Sequence, residues 1–239
     1  MRRVVWFSCG AASAVAASLC PDAEVVYCDT SASEHPDNAR FMRDVERWIG
    51  RQVVVVGGRF KDVDEVFADR RYMGGIAGAP CTLEMKKLPR MAYQRPDDRH
   101  VFGFTADEGG RADRLSANNP ELLLDWPLIE RGITKAACFA MLAEAGIPLP
   151  AMYRLGFNNN NCIGCVKATS PVYWNRVRKH FPEVFAQRAQ RSREIGARLA
   201  RQRGERVFLD ELDPESQESF ADALSCGPEC GTSDKETTP

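Results

Sequence analysis

No stretch of this chain is apolar for long enough to cross a bilayer. Neither sign of charge prevails: 32 Lys and Arg stand against 33 Asp and Glu, a formal net charge of -1. That balance excludes a protein that coats nucleic acid through its overall field, and leaves room for a local basic face. The sequence has no internal repeat and no low-complexity block, so repeat architectures are excluded. Its nine cysteines are an odd set, which does not read as a disulfide framework; in a reducing compartment metal ligation or thiol chemistry is expected of some of them. What remains is an ordinary globular composition, 44% hydrophobic and 27% charged. The 239 residues are enough for one α/β domain with or without an appendage.

The organising stretch lies at the start. Val4 to Phe7 is an apolar run of strand length, Ser8-Cys9-Gly10 a small-residue turn, and Ala11 to Ala17 an alanine-rich segment suited to a helix. Arg2 and Arg3 before an apolar run superficially resemble a signal peptide. The run breaks at Ser8 and leads on to another strand, so it reads as the first core strand of a cytoplasmic protein. A strand–loop–helix junction points unpaired backbone N–H groups at one spot, and the helix dipole adds positive potential there, which favours a phosphate or sulfate. Gly10 and Ala11 let an anion approach the backbone, and Ser8 and Ser13 add hydroxyls. The loop is poor in glycine, so an ordinary βα turn packed with small residues is the alternative.

Further strands are expected at Glu24–Cys28, at Gln52–Val56 (a β-branched run typical of a strand buried on both faces) and at His100–Thr105. Helices are expected from Pro36 to Gly50, Val63 to Arg71, Cys81 to Met91 and Ile133 to Ala145. Two more should fill Pro171 to Arg203, broken near Phe181-Pro182. Tyr72 to Pro80 and Arg154 to Asn161 read as loops, and the chain turns polar from Asp213. Alternating strands and helices imply an α/β fold: a mostly parallel twisted sheet with helices on both faces, plus a helical C-terminal part. Ligands of such sheets bind outside the carboxyl ends of the strands. That rule gathers Ser8–Ser13, Asp29-Thr30 and Thr105–Arg114 at one edge.

At that edge Asp29 can accept from ribose hydroxyls or hold a cation, or simply cap the next turn. Arg111 and Arg114, three apart, share a helical face and suit a phosphate or sulfate, with Glu108 placed to orient one of them; a solvated charged turn is the other reading. Cys162-Ile163-Gly164-Cys165 follows four asparagines. Two thiolates at this spacing can grip one metal or cluster, with Cys81 and the pair Cys226 and Cys230 available to complete about four ligands. A redox dithiol and a chance pairing are the alternatives. Cys9, Cys20, Cys28 and Cys138 read as small buried side chains.

In this order the motifs resemble the phosphoadenosine phosphosulfate (PAPS) reductase family of the adenine nucleotide α-hydrolase-like, PP-loop superfamily. Ser8 to Ser13 resembles its phosphate loop, Cys28-Asp29-Thr30 with Glu34 its Asp-Thr strand end, and Gly103 to Arg114 its arginine-bearing segment. Pro127-Leu128-Ile129 through Gly156 is similar to the stretch before its distal cysteine pair. Cys81 with Lys86-Lys87 is similar to its proximal cysteine and lysine, and Glu229-Cys230-Gly231 to the C-terminal motif of its catalytic cysteine. The likeness spans about 3–165 and returns at the tail. Ala12 stands where ATP-splitting relatives carry aspartate, and Thr105 where the reductases carry arginine.

The resemblance implies an adenine-nucleotide-binding domain over 1–165; the pattern beyond it reads as a helical extension with a cysteine-bearing tail over 166–230, and the polar end over 231–239 as a flexible tail. It implies an oxidoreductase or sulfur transferase that holds its nucleotide through Ser8, Gly10, Ala11, Ser13, Asp29, Thr30, Glu108, Arg111 and Arg114. A 4Fe-4S cluster, or zinc, would sit on Cys81, Cys162, Cys165 and Cys226, leaving Cys230 as the nucleophile. A thiol reductant or a sulfur-donor protein would be the partner. Nucleic acid enters only if the enzyme thiolates a nucleobase, with the arginines from Arg188 to Arg206 as its contact, and a non-catalytic nucleotide or redox sensor is the remaining reading.

Overall fold

A computed structural model describes residues 1–75 and 78–219. In chain order its first half runs β1 (Arg3–Phe7), α1 (Ala11–Leu19), β2 (Glu24–Cys28), α2 (Asp37–Ile49), β3 (Val53–Val56), α3 (Val63–Arg70), α4 (Pro80–Thr82), a π-helical turn (Leu83–Lys87), α5 (Leu88–Tyr93) and β4 (Arg99–Phe102). There follow α6 (Gly109–Asn118), β5 (Leu123–Asp125), α7 (Pro127–Glu130), α8 (Lys135–Glu144), α9 (Ala151–Arg154), α10 (Pro171–His180), α11 (Pro182–Ile195), β6 (Ala200–Gln202) and β7 (Glu205–Val207). Among the described residues no helix is long and apolar enough to cross a membrane.

The five strands β3-β2-β1-β4-β5 pair in parallel in that order. Side chains alternate between the faces. Val5, Phe7, Val25, Tyr27 and Val101 pack against α1, α2 and α8. Val4, Trp6, Val26, Cys28 and Phe102 pack on the other side against Ala112 and Leu115 of α6 and Tyr93 of α5. The sheet is thus covered on both faces, as the alternating pattern predicts. A third cluster joins α3, Met85, Met152 and Phe157 to Tyr173, Trp174 and Val177 of α10 and Phe185 and Ala189 of α11. Gly50 and Gly196 end α2 and α11 in the left-handed conformation, at φ +67° and +81°.

Three expectations are corrected. The four valines of β3 form an edge strand, and Val55 is 54% exposed instead of buried. Helix α11 stops at Gly196, and 200–207 is an antiparallel hairpin, β6–β7, not a continuing helix. The helical run from Pro80 to Tyr93 is not a uniform α-helix but widens to π pitch just before Pro89, where an α-helical carbonyl would meet the proline ring.

Candidate anion cleft at the end of the sheet

The strand order reverses between β1 and β4, so their loops diverge there and leave a crevice. A cleft of about 280 Å³ opens at that point, lined by Trp6, Ser8, Gly10, Ala12 and Ser13 from the first loop and Phe102 to Thr105 from the end of β4. Asp107, Glu108, Arg111, Lys135, Tyr153 and Asn159 to Asn161 complete its wall.

The first loop is built around Ser13. Its Oγ accepts from the Ser8 backbone N–H at 3.1 Å, donates to the Gly10 carbonyl at 3.0 Å and lies 3.2 Å from Ser8 Oγ. Cys9 is buried with φ +53°, a left-handed conformation uncommon outside glycine. Gly10 caps α1 with extended backbone and no side-chain cap, and Gly10, Ala12 and Ser13 of this helix start line the cleft. The Tyr153 hydroxyl reaches the Ala11 N–H at 3.5 Å. Two loops can approach this closely only because Gly103 follows β4: a Cβ there would stand 2.6 Å from Ser13 N and 2.8 Å from the Ala12 carbonyl carbon. Gly10 has no such constraint; its Cβ would meet Ser8 and Tyr153 oxygens at 3.6 Å, ordinary contacts.

Two cations enter the wall. Arg111 Nη1 donates to Glu108 Oε1 at 2.7 Å and its guanidinium stacks 4.1 Å from the Phe104 ring centre. Glu108 is itself held by the Thr105 N–H (3.0 Å) and hydroxyl (3.2 Å), a capping box that fixes the arginine's orientation. Lys135, in the first turn of α8, donates to the Asn158 carbonyl and to Asn159 Oδ1 at 2.9 Å, with its ammonium 5.7 Å from the Tyr153 ring. Burial pushes the Lys135 ammonium down, and pushes the Tyr153 hydroxyl up to about 12. With Glu108 ion-paired to Arg111, the helix terminus and Lys135 supply the attraction for an anion.

Of the residues expected here, the cleft gathers Ser8, Gly10, Ser13, Glu108 and Arg111, and Ala11 lies behind its rim. Arg114 is exposed and outside the lining. Asp29 and Thr30 close β2 beside the cleft. The Asp29 carboxylate accepts from the Ser31 N–H and hydroxyl, at 3.0 and 2.6 Å, which is the turn-capping role. Thr30 is buried and donates to Glu34 at 2.5 Å. Lys135, Tyr153 and Asn160 join the site from remote segments; the asparagine run before the cysteine pair is the local sequence signal for the last of them.

Cys162 and Cys165 are buried, and with the partly buried Cys81 they belong to the third core cluster. Gly164 turns the backbone between the pair at φ +66°, where a Cβ would press on Val184 at 3.1 Å. The turn is pinned from three sides. The Ile163 N–H donates to the Ser33 carbonyl (2.9 Å), the Cys165 N–H to the Tyr173 hydroxyl (2.8 Å), and buried Arg188 donates to the Gly164 carbonyl and pairs with Asp64. Arg188 is therefore committed to the interior. Among the described residues no group of three or more Cys, His, Asp or Glu side chains is gathered for a metal ion. Cys226 and Cys230 lie outside the described residues. No protein-family model matches this chain, and no curated protein matches it.

Proposed function

We propose that the cleft between β1 and β4 binds the anionic part of an adenine nucleotide, and that the protein is an enzyme of sulfur chemistry of the PAPS reductase kind. The observation that carries the reading is the convergence of the α1 N-terminus, Arg111 and Lys135 on one crevice at the strand-order reversal. Backbone N–H groups and a planar guanidinium suit the tetrahedral oxygens of phosphate and sulfate. Ala12 puts no carboxylate beside these oxygens, which favours a sulfonucleotide over ATP cleavage.

In that reading Arg111 and Lys135 orient the phosphosulfate and draw charge from its bridging oxygen. The Cys230 thiolate attacks the sulfur, the bond from sulfur to the bridging oxygen breaks, and the nucleotide leaves with the electron pair. A second thiol, from a reductant protein, then attacks Cys230 Sγ; a disulfide forms and sulfite is released. The donor set Cys81, Cys162, Cys165 and Cys226 is all thiolate and suits iron–sulfur or zinc. Cys162 and Cys165 flank the Gly164 turn and Cys81 packs against the same core cluster, but among the described residues the three are not gathered into a metal-binding group. A 4Fe-4S cluster bound by these thiolates would tune the electrostatics of the sulfate's surroundings.

Binding and turnover of adenosine 5′-phosphosulfate, PAPS and ATP, measured by calorimetry and sulfite release, test the reading. Arg111→Ala should weaken binding of the preferred nucleotide at least tenfold while leaving the far-UV spectrum unchanged. Anaerobically purified protein should carry iron and sulfide, lost in Cys162→Ser and retained in Cys230→Ser without turnover. Failure of every nucleotide to bind would overturn the reading; colourless protein with one zinc would replace the cluster alone.

A further inference from the structure

Cys9 holds a left-handed backbone at the root of the anion loop, and its carbonyl has a partner from far along the chain. Asn160 Nδ2 donates to Cys9 O at 2.7 Å and to Asn38 Oδ1 at 2.8 Å. Asn38 Nδ2 in turn donates to Glu34 Oε2 at 2.7 Å. The Glu34 carboxylate also accepts from the Tyr27 hydroxyl at 2.9 Å and the Thr30 hydroxyl at 2.5 Å. Glu34, Asn38 and Asn160 are each at least nine-tenths buried, and only Asn160 reaches the cleft wall.

The directions of these bonds leave no freedom along the chain. A carboxylate only accepts, so Asn38 must present its amino group to Glu34 and its carbonyl to Asn160. Asn160 must then present its amino group, which is the group that holds Cys9 O. Reversing either amide would set two acceptors or two donors against each other in a buried place. We propose that Glu34 and Asn38 are positioning residues for the anion loop: through Asn160 they fix the Cys9 carbonyl, and so the backbone donors from Gly10 onward, before a ligand arrives. The proposal rests on the cleft being the nucleotide site.

The test is calorimetric titration of adenosine 5′-phosphosulfate and, separately, inorganic pyrophosphate into the full chain and its variants. Asn38→Ala and Asn160→Ala should each weaken binding at least tenfold. The double variant should be no weaker than Asn160→Ala, because the first acts only through the second. Glu34→Gln should bind within about threefold of wild type, since its amide oxygen still accepts from Asn38 and its NH₂ can donate to the Thr30 hydroxyl, whereas Glu34→Ala should behave like Asn38→Ala. Independent, additive losses would mean general destabilisation and overturn the proposal. So would wild-type affinity in a folded Asn38→Ala. A wild-type protein that binds neither probe would instead overturn the cleft reading itself.

Discussion

Trp6 of β1 donates its indole N–H to His100 Nδ1 at 3.0 Å, beneath the cleft and across the β1–β4 pair. Burial, with Arg90 adding to it, holds the His100 pKa down to about 4 from an ordinary 6.5. The folded protein therefore keeps the imidazole neutral, and protonating Nδ1 would set two donors face to face. A folded-state pKa below the unfolded one means that the unfolded chain takes up the proton first. Stability is full above about pH 6.5 and falls as the pH drops toward 4. The loss across that window is on the order of 3 kcal/mol if the whole shift is expressed. His100→Asn keeps an acceptor for the indole and removes the titration. Denaturant unfolding at pH 7 and pH 4.5 should show a smaller acid loss in the variant, and an equal loss in both would refute the assignment. Such a residue is invisible in sequence, because nothing local pairs a strand histidine with a tryptophan on another strand. The serines and the Glu108–Arg111 pair were legible because their partners are neighbours in the chain. Lys135, Tyr153 and Asn160 reach the same cleft from remote segments, and only the asparagine run gives any local sign, for Asn160.

At the scale of elements, the junction of β4 with α1 decides whether the cleft exists. Gly103 lets the end of β4 lie against the first turn of α1, with no room for a Cβ beside Ser13 N and the Ala12 carbonyl carbon. Both of those neighbours are backbone, so relief requires moving a helix terminus. Gly103→Ala should cost ~1–3 kcal/mol of stability and weaken nucleotide binding further than its stability loss explains. Unchanged denaturation and unchanged affinity would show that the close approach is not as described. Helix boundaries were readable where a stop is chemical, as at Gly50 after α2 and Gly146 after α8. They were misread where tertiary context decides. After Ile195 the same chemical stop is present in Gly196, but the arginine-rich composition beyond it outweighs that signal in the sequence, and it is the pairing of 200–207 as a hairpin that composition does not show. The valine run of β3 has the composition of a central strand, yet β3 lies at the edge. Composition records the burial available to a segment, not which neighbours arrive to provide it.

For the whole molecule, alternating strands and helices were enough to anticipate a parallel sheet covered on both faces, because each buried strand needs a crossover helix to return. The strand order β3-β2-β1-β4-β5 adds what the pattern alone does not contain, the position of the reversal. That reversal brings the first loop and the β4 loop together and leaves Asp29-Thr30 one strand to the side, in turn-capping and buried bonds. The central claim is that an anion of a nucleotide sits against the backbone at Gly10. A Cβ at Gly10 meets only ordinary contacts and its φ is not left-handed, so Gly10→Asp should fold while placing a carboxylate beside the position the anion would take. The most direct measurement is calorimetric titration of adenosine 5′-phosphosulfate into wild type and Gly10→Asp, with melting curves taken on both. The account predicts a clear binding isotherm for wild type and at least a tenfold weaker one for the variant at an unchanged melting temperature. Equal affinities in two equally stable proteins would contradict it.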